Sequence, residues 1–299
     1  GTRTTIEEDL TDYQDINPEK RDDWEEVQNY IKATNYGIKR ISDGFPLCNR
    51  LIRELHKVLL SGVRGEYKLP GEFRKSQNWI GGTMPSNAAY VPPLVSDLDD
   101  CLNDLEKFIN NEEIETPDLI KIAIIHYQFE SIHPFLDGNG RIGRLLIPLY
   151  LQSKKILDNP CLYVSFFFEK NRDLYYSKLN MVRINNDIIG WIKFFLEAII
   201  ETAKIAKEKF KKVVELTKRI DNEISNLKVT YDNAKKVIDC FYNDPICSRK
   251  KIAEITGMPM STLNGVISEM QKANILKEST GYSKNQLFIF QEYVNIFLR

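Results

Sequence analysis

Most of the chain alternates between stretches with helical hydrophobic spacing and short breaks rich in glycine and proline. Apolar residues that recur every three or four positions fall on one face of an α-helix. This spacing predicts helices over 18–33, 46–60, 95–110, 116–131, 142–155 and 171–183, and a long helix over 187–227. The helix over 116–131 is apolar nearly all round, so it is expected to be central and buried. The sequence therefore predicts a mainly α fold.

One segment before residue 95 breaks this pattern and is rich in Gly, Pro, Ser and Asn. Two β-compatible pieces, 73–80 and 88–91, flank a stretch that contains Gly81-Gly82 and Pro85-Ser86-Asn87. Gly-Gly and Pro-Ser-Asn are turn sequences. We therefore expect a β-hairpin that lies on the helical body.

The C-terminal residues have the spacing of a separate small module. Three predicted helices precede a strand, a turn and a second strand over 275–290, and the helices cover 231–243, 248–257 and 261–274. Gly257 is expected to end the second helix and Ser261 to cap the third, which gives helix-turn-helix spacing followed by a wing. This part of the chain resembles winged-helix domains. The predicted organisation is an N-terminal helical region (1–45), a core (46–200), a helical linker (201–230) and a winged-helix domain (231–299).

Composition narrows the possible functions without choosing among them. Hydrophobic residues make up 42% and charged residues 28% of the chain, with a net charge of −1. That balance gives no bulk electrostatic attraction to nucleic acid or to an anionic membrane. The sequence contains no run of 18 apolar residues, so no transmembrane helix is predicted. The five cysteines form no CxxC pair and there are only three histidines, which argues against disulfides and against a multi-histidine metal site.

The most informative stretch is 133–144, HPFLDGNGRIGR, which we call the motif. Gly138, Gly140 and Gly143 match the dinucleotide pattern GxGxxG, but a helix precedes them and no βαβ unit follows, so that reading fails. A helix is predicted to begin at these glycines. The first amide N–H groups of a helix are unpaired and its dipole is positive there, which predicts an anion site for phosphate.

The polar residues of the motif add the chemistry that a phosphate site needs. Arg141 and Arg144 lie three residues apart, hence on one helical face, where two guanidinium groups can clamp phosphate oxygens. Asp137 is placed to hold Mg²⁺ beside a polyphosphate, and His133 is placed to take a proton. Together these groups favour attack on a nucleotide phosphate.

The motif also carries a family resemblance, because it matches HxFx(D/E)GNGRxxR of the Fic family at every fixed position. The sequences GEFRKSQNWIGG and AAYVPP resemble the flap hairpin of that family, and NRDLYYSKL resembles its nucleotide-side segment. We call residues 71–93 the flap. The resemblance spans roughly residues 50–200, and the helices before it and the winged helix after it resemble the longer bacterial members. It implies a Fic-type helical bundle with a β-hairpin flap, in a bacterial cytoplasmic protein.

The resemblance implies transfer of AMP from ATP, with Mg²⁺, to a Tyr, Ser or Thr hydroxyl of a target protein or of the chain itself. His133 would be the base, and Phe135 would anchor the loop in the core. The nucleotide-binding positions that it implies are Asp137, Gly138, Asn139, Gly140, Arg141, Ile142, Gly143 and Arg144 of the motif, Ile80, Gly81 and Gly82 of the flap, and Tyr175 and Tyr176.

Several of these implied roles are more specific. Asp137 would hold the metal, the Asn139 amide would contact the α-phosphate, and Arg141 and Arg144 would bind the β- and γ-phosphates. The flap would also offer an edge to the target segment. Tyr175 and Tyr176 would pack at the adenine or, alternatively, serve as plain core aromatics. His126 is expected to be structural, and His56 carries no signal.

Three alternatives stay open at this level. Many family members are inhibited by a glutamate in the motif (S/T)xxxE(G/N). Thr4 and Glu8 have that spacing, but Asp9 stands where the motif has Gly or Asn. We therefore expect the inhibitory glutamate just before Gly1, and we expect the chain as given to be uninhibited. A nucleotide-sensing winged-helix transcriptional regulator is a second reading. A third is a Fic-fold enzyme with another donor or with AMP-removing activity.

The predicted partners follow from the same residues. DNA binding by the winged helix is weakly supported, because its basic residues are offset by Glu254, Glu269 and Glu278; these basic residues are Arg249, Lys250, Lys251, Lys277 and Lys284. Protein contact, including a homodimer, is favoured over DNA. No membrane partner is expected.

Overall fold

The computed structural model describes residues 21–62, 68–113, 115–159, 161–280 and 286–298. The chain forms two compact units, 22–204 and 205–299. The first twenty residues, which include Thr4, Glu8 and the start of the first predicted helix, lie outside the described residues. Residues 201–230 do not form a separate linker, because the part from 205 onward supplies Leu216, Ile220 and Ile224 to the core of the second unit.

The first unit is built from helices, which confirms the mainly α prediction. They are α1 (Arg21–Ser42), α2 (Asn49–Leu59), α3 (Leu98–Asn110), α4 (Asp118–Ile132), α5 (Asn139–Ser153), α6 (Ser165–Lys170), α7 (Arg172–Asn185) and the first part of α8 (Ile188–Ser225). The short helix α6 was not predicted. No helix within the described ranges is long and apolar enough to cross a membrane.

Helix α4 is the central helix of this unit, and its side chains are buried on nearly every face. Ile122, Ile125 and Phe129 have no exposed surface, as the all-round apolar sequence predicted. Pro117 occupies the N-cap position without a side-chain hydrogen bond. The helix ends at His133 because the following Pro134 disfavours helical backbone in the residue before it.

The flap is less regular than the predicted hairpin. Its two pieces meet in a single antiparallel bridge, Ile80 to Tyr90, and Pro85–Asn87 forms a 3-10 turn. No strand of two or more residues forms over 68–93. The backbone N–H of Arg74 donates to Pro134 O (2.8 Å), outside the flap. Because this donor is used against another segment, the hairpin ladder is not extended there.

The second unit combines helices with one small sheet. After the last part of α8 come α9 (Tyr231–Asn243), β1 (Ile246–Ser248), α10 (Arg249–Thr256), α11 (Met260–Lys272), β2 (Lys277–Glu278), β3 (Leu287–Ile289) and α12 (Gln291–Leu298). The strand order is β1-β3-β2 with antiparallel pairing, and Cys247 lies opposite Phe288. Strand β1 and helix α12 were not predicted.

The turn between α10 and α11 agrees with the sequence at one end and differs at the other. Gly257 ends α10 in the left-handed region at φ 66°, where glycine carries no steric penalty. Helix α11 begins one residue before Ser261, with Pro259 at the N-cap and no side-chain cap. The prediction that Ser261 caps this helix is therefore wrong.

Candidate active site

The motif forms a loop over 133–138 and the first turns of α5. Gly138 is the N-cap of α5 in the left-handed region, at φ 77° and ψ 0°. The helix starts at Asn139, as the glycines predicted, so its first amide N–H groups and the positive end of its dipole lie at this loop. Such a helix start can bind an anionic ligand.

Asn139 closes the loop on itself. Its Oδ1 accepts the N–H of Phe135 at 2.8 Å, and its Nδ2 donates to Phe135 O at 2.8 Å. The side chain is only 2% exposed. Contrary to the contact expected from the resemblance, this geometry uses the Asn139 amide to fix the loop and turns it away from a ligand.

His56, which carried no signal in the sequence, supports the loop from helix α2. Its ring stacks on Phe135 with centroids 3.7 Å apart and planes at 6°, and both side chains are fully buried. Its Nδ1 accepts the N–H of Gly71 at 2.8 Å, so its Nε2 carries the proton and donates to Asp137 O at 3.0 Å. Burial lowers the pKa of His56 to about 4, which keeps this tautomer neutral.

His126 supports the start of α5 from the other side of the motif. A carbonyl only accepts, so Nδ1 of His126 donates to Gly143 O at 2.9 Å, and Nε2 accepts the Tyr175 hydroxyl at 3.0 Å. Burial lowers the pKa of His126 to about 4. Tyr175 is 6% exposed and therefore takes the core role left open in the sequence, whereas the neighbouring Tyr176 is 45% exposed.

His133 ends α4 with a side chain that is ready to accept a proton. Its Nδ1 lies 3.3 Å from Glu130 O, and a proton on Nδ1 that faces this carbonyl leaves Nε2 with a free lone pair. Burial lowers the pKa of His133 to about 4, with a smaller opposing effect of the Glu130 carbonyl. The ring is therefore neutral near pH 7, as a general base must be.

The two arginines occupy the first turns of α5. Arg144 reaches back over Gly140, where an added Cβ would lie 3.0 Å from its Nη1. Arg141 lies 3.7 Å from Asp137 and 3.5 Å from Glu26, and its Nη1 has no hydrogen-bond partner. The loop therefore presents guanidinium groups beside a helix start, the combination that binds phosphate.

Glu26 of α1 is a second residue that the sequence did not single out. It forms an ion pair with Arg141 while remaining 37% exposed, and it lines a cleft together with Asp137, Asn29 and Gly62. Only the folded chain brings α1, more than a hundred residues before the motif, to this arginine. A carboxylate at this point competes with an anionic ligand for the guanidinium.

Two of the motif residues pack against the interior of the first unit. Ile142 is fully buried. A Cβ on Gly143 would lie 2.3 Å from Glu130 Oε1 and 3.2 Å from Phe129 Cδ1, so any larger residue would displace the Glu130 carboxyl where α5 crosses α4. Gly140 differs, since it is only half-buried in the first turn of α5.

The flap residues lie mostly at the surface. Gly81 and Gly82 are exposed with φ of 71° and 68°, and a Cβ on Gly82 would lie 2.4 Å from Asn87 O. Ile80 is half-buried and pairs with Tyr90, whose hydroxyl donates to Ser131 O at 3.1 Å. The flap is thus attached to the end of α4, next to His133.

Asp137 is the one motif carboxylate available to a metal. Its side chain is 51% exposed, and Oδ1 accepts the N–H of Gly138 at 2.6 Å. No group of three His, Cys, Asp or Glu side chains arranged for a metal occurs in the described part of the chain. A single exposed carboxylate beside a phosphate site fits Mg²⁺, which takes one or two carboxylates and completes its shell with phosphate oxygens and water.

Comparison with known proteins supports the family resemblance of the sequence. Residues 46–151 match the model of the Fic/DOC family. The protein adenylyltransferase Fic of Drosophila erecta is 37% identical over 97 residues, which cover 32% of this chain and 18% of that protein. The protein of the same name from Aedes aegypti is 31% identical over 153 residues, which cover 50% of this chain and 27% of that protein. The chain thus spans less than a third of the length of these relatives.

Two solved structures share the fold. A Fic family protein from Desulfovibrio desulfuricans G20 aligns with a TM-score of 0.56 at 20% identity, over 96% of this chain and 81% of that one. A Fic domain containing signaling protein from Bacteroides thetaiotaomicron aligns with a TM-score of 0.51 at 21% identity, over 62% of this chain and 71% of that one.

Proposed function

We propose, from the Fic-family domain that this chain carries, that it is a protein adenylyltransferase that transfers AMP from ATP to a Tyr, Ser or Thr hydroxyl of a target protein or of itself. The observation that carries the proposal is a neutral histidine beside a helix start with two arginines. His133 has a free Nε2, and Arg141 and Arg144 lie on the first turns of α5.

The reaction that this arrangement supports is a displacement at the α-phosphorus of ATP. His133 Nε2 takes the proton of the target hydroxyl while the hydroxyl oxygen forms a bond to the α-phosphorus. The bond from the α-phosphorus to the bridging oxygen breaks, and diphosphate leaves with its electron pair. Arg141 and Arg144 hold the leaving phosphates and stabilise their charge, and His133 then returns its proton to solvent.

Other residues prepare the site. Asp137 would hold Mg²⁺, which supplies charge neutralisation on the phosphates. The backbone N–H groups at the start of α5 take the phosphate contact that the resemblance gave to the Asn139 amide, since that amide is bonded to Phe135. Tyr176, half-exposed and in edge contact with Tyr175 (5.3 Å between centroids), is the better placed of the two tyrosines for an adenine ring.

For the second unit we propose a winged helix that contacts protein and not DNA. The order of three helices, β1 and the β2–β3 wing supports this. Several of its basic residues are engaged within the unit, since Lys251 pairs with Asp244, Lys272 with Glu269, and the Arg249 guanidinium lies 4.6 Å from the Phe288 ring centroid. Such internal pairing leaves little charge for phosphate binding by DNA.

Labelled ATP tests the proposal directly. The chain is incubated with cell lysate, Mg²⁺ and ATP labelled at either the α- or the γ-phosphate, beside a His133→Asn control. AMP transfer labels protein from α-labelled ATP alone and needs His133. Label from the γ position would instead indicate a kinase, and ATP binding without any label would favour the nucleotide-sensing regulator.

Glu26→Gln is expected to tighten ATP binding by about two- to fivefold, because an exposed ion pair of about 0.4–1 kcal/mol no longer competes for Arg141. The measurement is the Kd of ATP with Mg²⁺. Glu25→Gln is the matched control. Glu25 lines the same cleft, and its substitution removes the same charge but leaves the ion pair between Glu26 and Arg141 in place. Equal gains in both variants, or weaker binding by Glu26→Gln, would contradict the competition.

A further inference from the structure

The backbone of His133 is held in an unfavourable conformation. Its φ of 49° and ψ of 59° lie in the left-handed region, which is sterically unfavourable for a residue with a Cβ. Such a conformation persists only where neighbouring groups fix it. The residues that fix it therefore also fix the direction in which the imidazole leaves the chain.

Two side chains of the flap hold the carbonyl of this residue. Arg74 Nε donates to His133 O at 3.2 Å, and Asn78 Nδ2 donates to the same oxygen at 3.1 Å. Asn78 Nδ2 also lies 3.0 Å from Phe135 O. The backbone N–H of Arg74 donates to Pro134 O at 2.8 Å. Three consecutive carbonyls of the motif loop are thus bound by one short segment of the flap.

Burying the Arg74 side chain at this position is energetically unfavourable. It is 2% exposed, and no carboxylate forms an ion pair with it among the described residues. Its other bonds also go to carbonyls, from Nη2 to Pro93 O at 2.6 Å and from Nη1 to Ser76 O at 3.5 Å. A buried charge without a counter-ion costs several kcal/mol, only partly offset by such bonds.

The carbonyls that the Arg74 guanidinium binds lie on both sides of the turn of the flap. Ser76 lies before the turn of the flap and Pro93 lies after it, so Arg74 connects both ends of the flap with the carbonyl of His133. A displacement of the flap is therefore a displacement of His133. A residue that only filled space at this position would need neither a charge nor three N–H donors.

We propose that Arg74, assisted by Asn78, is a positioning residue that sets the direction of His133 and couples it to the flap. This inference rests on the proposed adenylyltransferase function. It assigns Arg74 no contact with ATP or with the target, so its loss is expected to act on the rate of transfer and not on nucleotide affinity.

Replacing Arg74 by Met tests the proposal. We expect kcat for AMP transfer to fall by about 100-fold, the effect of misplacing a reacting group by about 1 Å, while the Kd of ATP stays within about twofold. Arg74→Lys keeps one donor and is expected to recover part of the loss. Arg50→Met is the control, because Arg50 is 73% exposed, forms its ion pair with Glu54 and contacts neither the flap turn nor the motif loop. A kcat of Arg74→Met in the range of this control would overturn the proposal.

A double-mutant cycle separates positioning from general damage. If Arg74 acts through His133, Arg74→Met costs less than about threefold in a His133→Asn background; two independent losses would multiply, and that result would refute coupling. Should Arg74→Met not fold, Asn78→Ser, which removes the second donor to the same carbonyl, is put through the same cycle. Full transfer by His133→Asn alone would instead refute the proposed base, whatever Arg74 does.

Discussion

His133→Asn is expected to lower kcat for AMP transfer by about a thousandfold, with the Kd of ATP within about twofold of the unsubstituted chain. The imidazole is the only group on the motif loop that is neutral near pH 7 and has a free basic nitrogen, since its Nδ1 faces Glu130 O and its pKa is lowered to about 4 by burial. Without it, the target hydroxyl must lose its proton to water.

Asparagine is the informative replacement because of the backbone. At φ 49° an alanine would be strained, whereas asparagine tolerates the left-handed region. His133→Asn therefore removes the base and keeps the loop, so that a loss of activity reports chemistry. His133→Ala, measured beside it, shows how much additional loss comes from the loop.

The measurement is single-turnover transfer from α-labelled ATP, with the Kd of ATP determined separately. If transfer is lost and the Kd of ATP also rises by tenfold or more, the substitution has changed the loop and not only the base. Transfer at the unsubstituted rate would remove His133 from the mechanism. In that case the anion site would remain, and the nucleotide-sensing reading would gain support.

Local chemistry explains what the sequence could predict. Gly138 starts α5 and Pro134 stops α4 because glycine and proline act on the backbone at their own positions. The all-round apolar helix α4 was likewise predictable, since burial on every face needs apolar residues on every face. These features locate the proposed anion site and the proposed base without any tertiary information.

The supporting contacts could not be predicted in this way. His56 meets Asp137 O across 81 positions of sequence, and Glu26 meets Arg141 from a different helix. Neither residue has a local pattern that differs from an ordinary helix position. The bonds of Asn139 are a related case, because the sequence supplies an amide and only the fold shows that both of its ends bond to Phe135.

The structure brings all three histidines of the chain to the motif, which the sequence did not predict. The chain has three histidines, and all three act on the motif. His56 binds the carbonyl of Asp137, His126 binds the carbonyl of Gly143, and His133 offers its lone pair. The first two bracket the start of α5 as neutral rings, so the phosphate site is held by groups that acid would protonate.

The stability of the first unit is therefore expected to fall as the pH drops from 6.5 to 5. Burial lowers the pKa of all three histidines from 6.5 to about 4, so unfolding takes up three protons in this range. Burial raises the pKa of Glu130 from 4.5 to about 7, so unfolding releases one proton there. Two net protons correspond to at most about 2.7 kcal/mol of unfolding free energy per pH unit, with stability rising with pH.

Two substitutions on α4 are expected to change this slope in opposite directions. His126→Gln can still donate to Gly143 O but takes up no proton, so the slope falls by about 1.4 kcal/mol per pH unit at most. Glu130→Gln has nearly the same shape as Glu130 and releases no proton, so the slope rises by a similar amount. Urea unfolding of the full chain, followed by a signal of the first unit at several pH values, measures both. Slopes in both variants that match the slope of the unsubstituted chain would show that His126 and Glu130 each titrate alike in the folded and unfolded chain. The neutral tautomer through which His126 supports the start of α5 would then lose its physical basis.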